Sequence, residues 1–170
     1  LGFTIATETM ALMQQMVNNG ELDYLVAERV WTETQRALGE KTPEVYFQVL
    51  RDCGALKTWF PQLDALFGIP QPEKHHPEID CGIHGLLSLQ AAAKLTDKNS
   101  VRWAALTHDL GKALTPTEEL PRHIAHEKRG LKPIKNLCKT LKAPKEHQEL
   151  ALLSCEFHTH VHRAFELKGA

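Results

Sequence analysis

The chain has 170 residues, with 20 Lys and Arg against 21 Asp and Glu and a formal net charge of −1. With 42% hydrophobic and 24% charged residues, its balance excludes a disordered tail, a collagen-like repeat and a coiled coil. No apolar run is long enough to offer a transmembrane helix, and the near-neutral charge by itself points to neither nucleic acid nor a membrane surface.

In chain order the pattern predicts an all-α fold. Thr4 or Thr7 can cap a first helix that runs to Asn18, with Met10, Met13 and Val17 on one face and Gly20 as its stop. A second helix is expected from about Asp23 to Leu38, turning Ala27, Val30, Trp31, Thr34 and Leu38 inward. Thr42-Pro43-Glu44 starts a third: a hydroxyl cap, a proline at the first turn and a carboxylate at the positive end of the dipole. It carries Tyr46, Val49, Leu50 and Cys53 and stops at Gly54. Residues 55–67 are rich enough in apolar side chains to pack on the next region of the chain, and residues 68–80, with three prolines, read as a linker or active-site loop. Further helices are expected at about 83–95, at 100–110 with Ser100 as cap, at 123–142 and at 145–167, with Ala143-Pro144 as a break. The helix at 100–110 is apolar around most of its circumference and should be buried. No strand pattern of useful length is present.

Cys53, Cys81, Cys138 and Cys155 form no CxxC pair and read as reduced, buried thiols of a cytosolic protein. The N-terminus has no initiator Met and no signal-peptide pattern, and the chain reads as a piece of a longer protein. All ten histidines lie between His75 and His162, which separates a histidine-free first region from a histidine-rich second.

The sharpest local signal is Thr107-His108-Asp109-Leu110-Gly111-Lys112. Neighbouring side chains on a helix point about 100° apart, so His108 and Asp109 can share an ion only where the backbone opens, at a helix end beside a glycine. Imidazole and carboxylate suit divalent first-row metals. His84 begins the preceding helix, His123 and His126 are three apart, and His158 and His162 are four apart. A bundle that turned these faces inward would build a nitrogen-rich pocket. The candidate metal ligands are His84, His108, Asp109, His126 and His158. Asp109 is the one carboxylate of the set, which disfavours a cage of hard oxygen ligands. His108, Asp109, Lys112 and His126 are the candidate catalytic residues, with Lys112 able to meet a phosphate. His75, His76 and His147 are expected on the surface or in loops, and His160 turned away from the pocket.

This pattern resembles the HD superfamily of metal-dependent phosphohydrolases. More closely, HPEIDCGIH, VRWAALTHDLGKALTP, PRHIAHEKRG and EFHTHVH resemble bacterial multifunctional CCA proteins, the tRNA nucleotidyltransferases that carry an HD domain. LGFTIATETMALM, ERVWTE and VYFQVLRDCGAL resemble the neck and body helices of that family. The resemblance implies a helical neck and body at 1–72, followed at 73–170 by an HD-domain helical bundle truncated at its C-terminus. It also implies phosphatase, 2′-nucleotidase and 2′,3′-cyclic phosphodiesterase action on the tRNA 3′ end or small phosphoester nucleotides. The implied cofactor is a divalent metal: nickel, manganese, cobalt or magnesium. In the family, magnesium also serves the CCA-adding head, whose motifs lie upstream of Leu1. A cytoplasmic monomer or weak dimer without membrane contact is expected. HD domains usually close the metal site with a later Asp. No Asp follows His126 in this chain.

Residues 122–145 hold eight Lys and Arg against one Glu. Lys128, Lys132, Lys135, Lys139 and Lys142 step by 4, 3, 4 and 3 along one helical face. That face is either the solvated side of an amphipathic helix or a track for an RNA phosphate backbone.

Overall fold

The structure, a computed structural model, describes residues 4–74, 77–162 and 164. Among them the regular elements are helices, and the one extended pairing is an isolated bridge between Pro70 and Asp80. The first half holds α1 (Thr7–Asn18), α2 (Ala27–Leu38), α3 (Glu44–Asp52), α4 (Ala55–Trp59) and α5 (Pro61–Asp64). The second holds α6 (Cys81–Leu95), α7 (Asn99–Thr107), α8 (His126–Leu141) and α9 (Lys145–His162). His75 and His76, and the end of the helix expected at 145–167, lie outside the described residues.

Several ends differ from those the sequence predicts, each for a local reason. α1 has no side-chain cap, so neither Thr4 nor Thr7 serves, and it buries none of its residues. It lies at the edge, where Gln14 Nε2 donates to the Asp52 carbonyl at 3.0 Å. The expected second helix is interrupted: a 3-10 turn spans Glu21–Tyr24, and Leu25 and Val26 are extended before α2. α2 buries Val30, Trp31, Thr34 and Leu38, the face read from its period. In α3 the buried ring is Phe47 rather than Tyr46. α6 begins two residues early because Asp80 Oδ1 accepts from the N–H groups of Gly82 and Ile83, at 2.8 and 2.9 Å. Ser100 does not cap α7; its hydroxyl donates to Glu146 of α9 instead. α8 starts at His126, after Ala125 takes a left-handed turn at φ 57°, so His123 stays in the preceding loop.

α7 sits between α6 and α9, and α8 packs along α9. Trp103, Ala104 and Leu106 of α7 are buried, and the core they enter runs on into the first half of the chain. Trp31 meets Trp103 edge to face at 5.3 Å, and Phe47 meets Phe60 in the same way at 5.6 Å. Such pairs add about 0.5–1.5 kcal/mol beyond the area they bury. All four cysteines are buried free thiols. No helix among the described residues is long and apolar enough to cross a membrane.

Arg102 clamps the two halves together. Its side chain is buried, and Nε donates to the Thr96 carbonyl at 2.7 Å. Nη1 donates to the carbonyls of Leu38 and Glu40, and Nη2 to that of Ala93 and to Asp97. Four of these five N–H bonds close carbonyls at the C-terminal ends of α2 and α6. Arg102→Ala strands those carbonyls in a dry site. It is expected to lower unfolding stability by about 3 kcal/mol, read from urea titration. Arg102→Lys should recover little of the loss, because three ammonium donors replace five in a fixed fork.

His147, expected at the surface, is buried against Trp31, with ring centroids 5.2 Å apart. Its Nε2 pairs with Gln35 Nε2 at 2.7 Å, so Nε2 is the acceptor and Nδ1 carries the hydrogen. Burial pushes its pKa below the ordinary histidine value, against a smaller opposing pull from Glu146. The unfolded chain therefore takes up the proton first. This contribution to stability is complete above about pH 6.5 and is lost as the pH falls through that value toward the folded pKa. His147→Gln should flatten the drop in urea midpoint between pH 7.5 and 5.5 relative to the unmodified chain.

Candidate metal centre

α7 ends at Thr107, and the chain re-coils as a 3-10 turn over Leu110–Leu114. Between them His108 stays helical while Asp109 opens to φ −105°, ψ 13°. This break lets adjacent side chains turn to one point. Gly111 does not supply the opening. Its role is close approach: a Cβ there would lie 1.9 Å from the His126 carbonyl oxygen and 2.5 Å from the Gly130 nitrogen. Without that Cβ, the turn after Asp109 presses against the first turns of α8.

The Asp109 carboxylate is the centre of the site, with its side chain 3% exposed. Its Oδ2 lies 3.2 Å from His108 Nε2, 3.6 Å from His84 Nε2 and 2.7 Å from Lys112 Nζ. Its Oδ1 lies 3.2 Å from His126 Nε2 and 3.4 Å from His158 Nε2. Four imidazoles from α6, the end of α7, α8 and α9 thus converge on one carboxylate. The potential ligand atoms form two groups that share Asp109, one with His84 and His108 and the other with His126 and His158.

The far side of each ring fixes its tautomer. His108 Nδ1 faces the Ala105 carbonyl at 2.8 Å and His126 Nδ1 the His123 carbonyl at 2.7 Å. His158 Nδ1 faces the Cys155 carbonyl at 2.9 Å, and His84 Nδ1 faces Glu78 at 2.6 Å. Carbonyl and carboxylate oxygens only accept, so each Nδ1 carries a hydrogen, and on a neutral ring Nε2 then presents a lone pair. Those lone pairs point at a carboxylate and at one another: His126 Nε2 and His158 Nε2 are 3.0 Å apart. Asp109 Oδ1 is buried without a hydrogen-bond partner among the described residues. Acceptors facing acceptors in a dry pocket call for positive charge between them, which a divalent cation supplies. The residues present fit such an ion.

A proton on His108 can meet the same need. Burial pushes the Asp109 carboxyl up, but the neighbouring His108, with His126 and Lys112, holds it well below the usual carboxylate range. Burial pulls the His108 pKa down, and the Asp109 charge with its hydrogen bond more than reverses this. Burial lowers His84 and His158 against the opposing pull of Asp109, so those rings stay neutral, the state that binds metal.

A cavity of about 480 Å³ opens onto these groups and is walled also by Leu87, Ser88, Glu78 and Thr159. Lys112 is buried and donates to Gln71 Oε1 at 2.8 Å as well as to Asp109. His123 is not turned toward Asp109. Its Nε2 meets the Pro70 carbonyl and its Nδ1 the Thr115 hydroxyl, at 2.9 and 2.7 Å. His160 is exposed beside Phe157, and the His162 side chain lies outside the described residues. Lys128, Lys132, Lys135 and Lys139 are exposed on the side of α8 opposite its buried stripe; Lys142 is exposed too, but it lies past the helix end in a left-handed turn at φ 53° and pairs with Glu28 of α2.

Sequence reasoning passed over Gln71, Glu78, Ser88 and Thr159. Glu78 and Gln71 sit in a loop, where spacing carries no facing rule. Ser88, four residues after His84 and so on its face of α6, was the one with a readable signal.

Residues 2–67 match the family described as "Probable RNA and SrmB-binding site of polymerase A", and residues 82–167 match the HD domain family. A Multifunctional CCA protein of Pseudoalteromonas atlantica is 58% identical over 169 residues, 99% of this chain and 42% of the relative. The protein of that name from Pseudomonas fluorescens is 59% identical over 170 residues, 100% of this chain and 42% of its own length. The one from Haemophilus influenzae is 56% identical over 175 residues, with 99% and 42% covered. The chain therefore spans about two fifths of the length of the curated relatives it matches.

Gly111→Ala would drive a methyl into the α8 backbone. It is expected to destabilise the fold by about 1–3 kcal/mol and to weaken Co²⁺ binding, both measured against the unmodified chain by urea titration and calorimetry.

Proposed function

The chain belongs to the HD-domain family, and from that premise we propose that it is a metal-dependent phosphohydrolase acting on nucleotide and RNA-end phosphoesters. The observation that carries this reading is the set of four Nε2 atoms, each ring's Nδ1 engaged elsewhere, aimed at the buried Asp109 carboxylate. His84, His108 and Asp109 would hold the cation, with His126 and His158 completing the group or holding a second ion. Nickel, manganese, cobalt and magnesium are the proposed metals. A divalent cation bound there supplies Lewis acidity, drawing electron density from a phosphoryl oxygen and making water more acidic.

The remaining work falls to side chains. Lys112 places a buried positive charge beside Asp109, suited to the negative charge that grows on the phosphoryl oxygens. His126 has Nδ1 tied to a carbonyl, so its Nε2 would either hold a metal or, where it holds none, give a proton to a leaving ribose oxygen. Leu87 and Thr159 on the cavity wall leave room for a nucleoside behind the phosphate. The proposed substrates are 2′-phosphates and 2′,3′-cyclic phosphates, and the proposed partner is the tRNA 3′ end.

The resemblance to multifunctional CCA proteins supports a parent protein that adds and repairs the tRNA CCA end, cytoplasmic and monomeric or weakly dimeric. In this reading the neck and body occupy 1–72 and the HD domain 73–170. The exposed lysines of α8 favour a second role, contact with an RNA backbone. If the pocket were inactive, that role would leave a tRNA-holding body.

Stripped of metal, the chain should fail to hydrolyse 2′,3′-cyclic AMP and should recover on addition of Ni²⁺, Co²⁺ or Mn²⁺. Asp109→Ala and His108→Ala should reduce turnover to background while circular dichroism keeps its helical signal. Undiminished turnover by Asp109→Ala would overturn the hydrolase and leave the tRNA-holding body.

A further inference from the structure

Between α5 and α6, residues 68–71 and 78–81 are tied together as the two arms of a strap. The Gln71 N–H donates to the Ile79 carbonyl at 2.7 Å, the Cys81 N–H to the Ile69 carbonyl at 3.0 Å and the Gly68 N–H to Asp80 Oδ2 at 2.6 Å. Gln71 is buried at 2% exposure, and its Nε2 meets Glu78 Oε1 at 3.2 Å across the strap. Residues 68–81 lie between the two segments that match known families.

Two side chains reach from this strap to the metal centre. Glu78 Oε1 accepts from His84 Nδ1 at 2.6 Å, and Gln71 Oε1 accepts from Lys112 Nζ at 2.8 Å. Each acts one bond away from Asp109: His84 Nε2 is 3.6 Å from its Oδ2, and Lys112 Nζ is 2.7 Å from the same atom. His84 differs from the other three imidazoles in that a side-chain carboxylate, not a backbone carbonyl, holds its Nδ1 hydrogen. A carboxylate partner fixes the ring's rotation and tautomer and makes Nε2 a stronger electron donor.

We propose that Glu78 and Gln71 are positioning residues of the metal centre, Glu78 aiming the His84 Nε2 lone pair and Gln71 pinning Lys112 against Asp109. The proposal rests on the reading that this cavity binds a divalent cation. The strap therefore belongs to the site although it lies outside the HD match, and it joins the region matching an RNA-binding family directly to the chemistry.

The test uses the full chain, stripped of metal, with Co²⁺ alone as the probe. Dissociation constants come from calorimetry and ligand geometry from the visible absorption of bound Co²⁺. Glu78→Ala should weaken binding by about 10–100-fold and alter the spectrum. Glu78→Gln, whose amide oxygen can still accept from Nδ1, should bind within a few-fold of the unmodified chain. Gln71→Leu should raise the KM for 2′,3′-cyclic AMP more than it lowers kcat, because it frees the ammonium that meets the phosphate. Nitrogen-15 spectra of the unmodified chain should show His84 protonated on Nδ1, a readout that does not depend on any variant folding. His84 protonated on Nε2 overturns the proposal, as does wild-type Co²⁺ affinity in Glu78→Ala, or equal losses in the Ala and Gln variants. If His108→Ala and Asp109→Ala also bind Co²⁺ like the unmodified chain, the cation reading itself fails. If only those two lose binding, the cation stands and the strap's role falls.

Discussion

A carboxylate out of reach of water governs this structure. An ionised Asp at 3% side-chain exposure is tolerable only if the protein supplies the positive charge and hydrogen-bond donors that water would have given. Lys112 supplies an ammonium at 2.7 Å, and four imidazoles close the rest of the surface. Each of the helices α6 to α9 is placed so that one ring can reach this point. The break after α7 and the methyl-free contact of Gly111 with α8 are the backbone consequences. The same crowding makes the place suitable for a cation, since each ring has Nδ1 engaged elsewhere and turns Nε2 toward the carboxylate.

The two halves of the chain are less separate than the histidine count suggests. One apolar core runs through both. Arg102 ties the ends of α2 and α6, and the strap before α6 carries the chain from one half into the wall of the cavity. The region matching the family described as an RNA and SrmB-binding site is thereby packed against the helices of the HD match. The exposed lysines of α8 lie on the outer side of the helix whose first residue, His126, faces Asp109.

Much of the fold was legible in the sequence because helical period reports burial directly. The inward face of α2 follows from the spacing of Val30, Trp31, Thr34 and Leu38, and the apolar wrap of α7 announces a central helix. Helix ends were less legible. Asp80 rather than the sequence's apolar pattern decides where α6 begins, and a left-handed Ala125 rather than a proline decides where α8 begins. Both depend on what the flanking chain packs against, which no local pattern encodes.

The histidines and the HD pair marked out a candidate site without any structure. Imidazole and carboxylate at a helix end, with more imidazoles at helical intervals, have few other chemical uses in combination. Tertiary structure alone decided which rings meet. It removed His123, whose two nitrogens are occupied by Pro70 and Thr115, and it buried His147 far from the cavity, beside Trp31. It also brought in Glu78 and Gln71 from a proline-rich loop. Residue type and period determine what a side chain can do and which way a helix face turns. The partner each nitrogen finds is set by distances across the chain, and those exist only once the helices have packed.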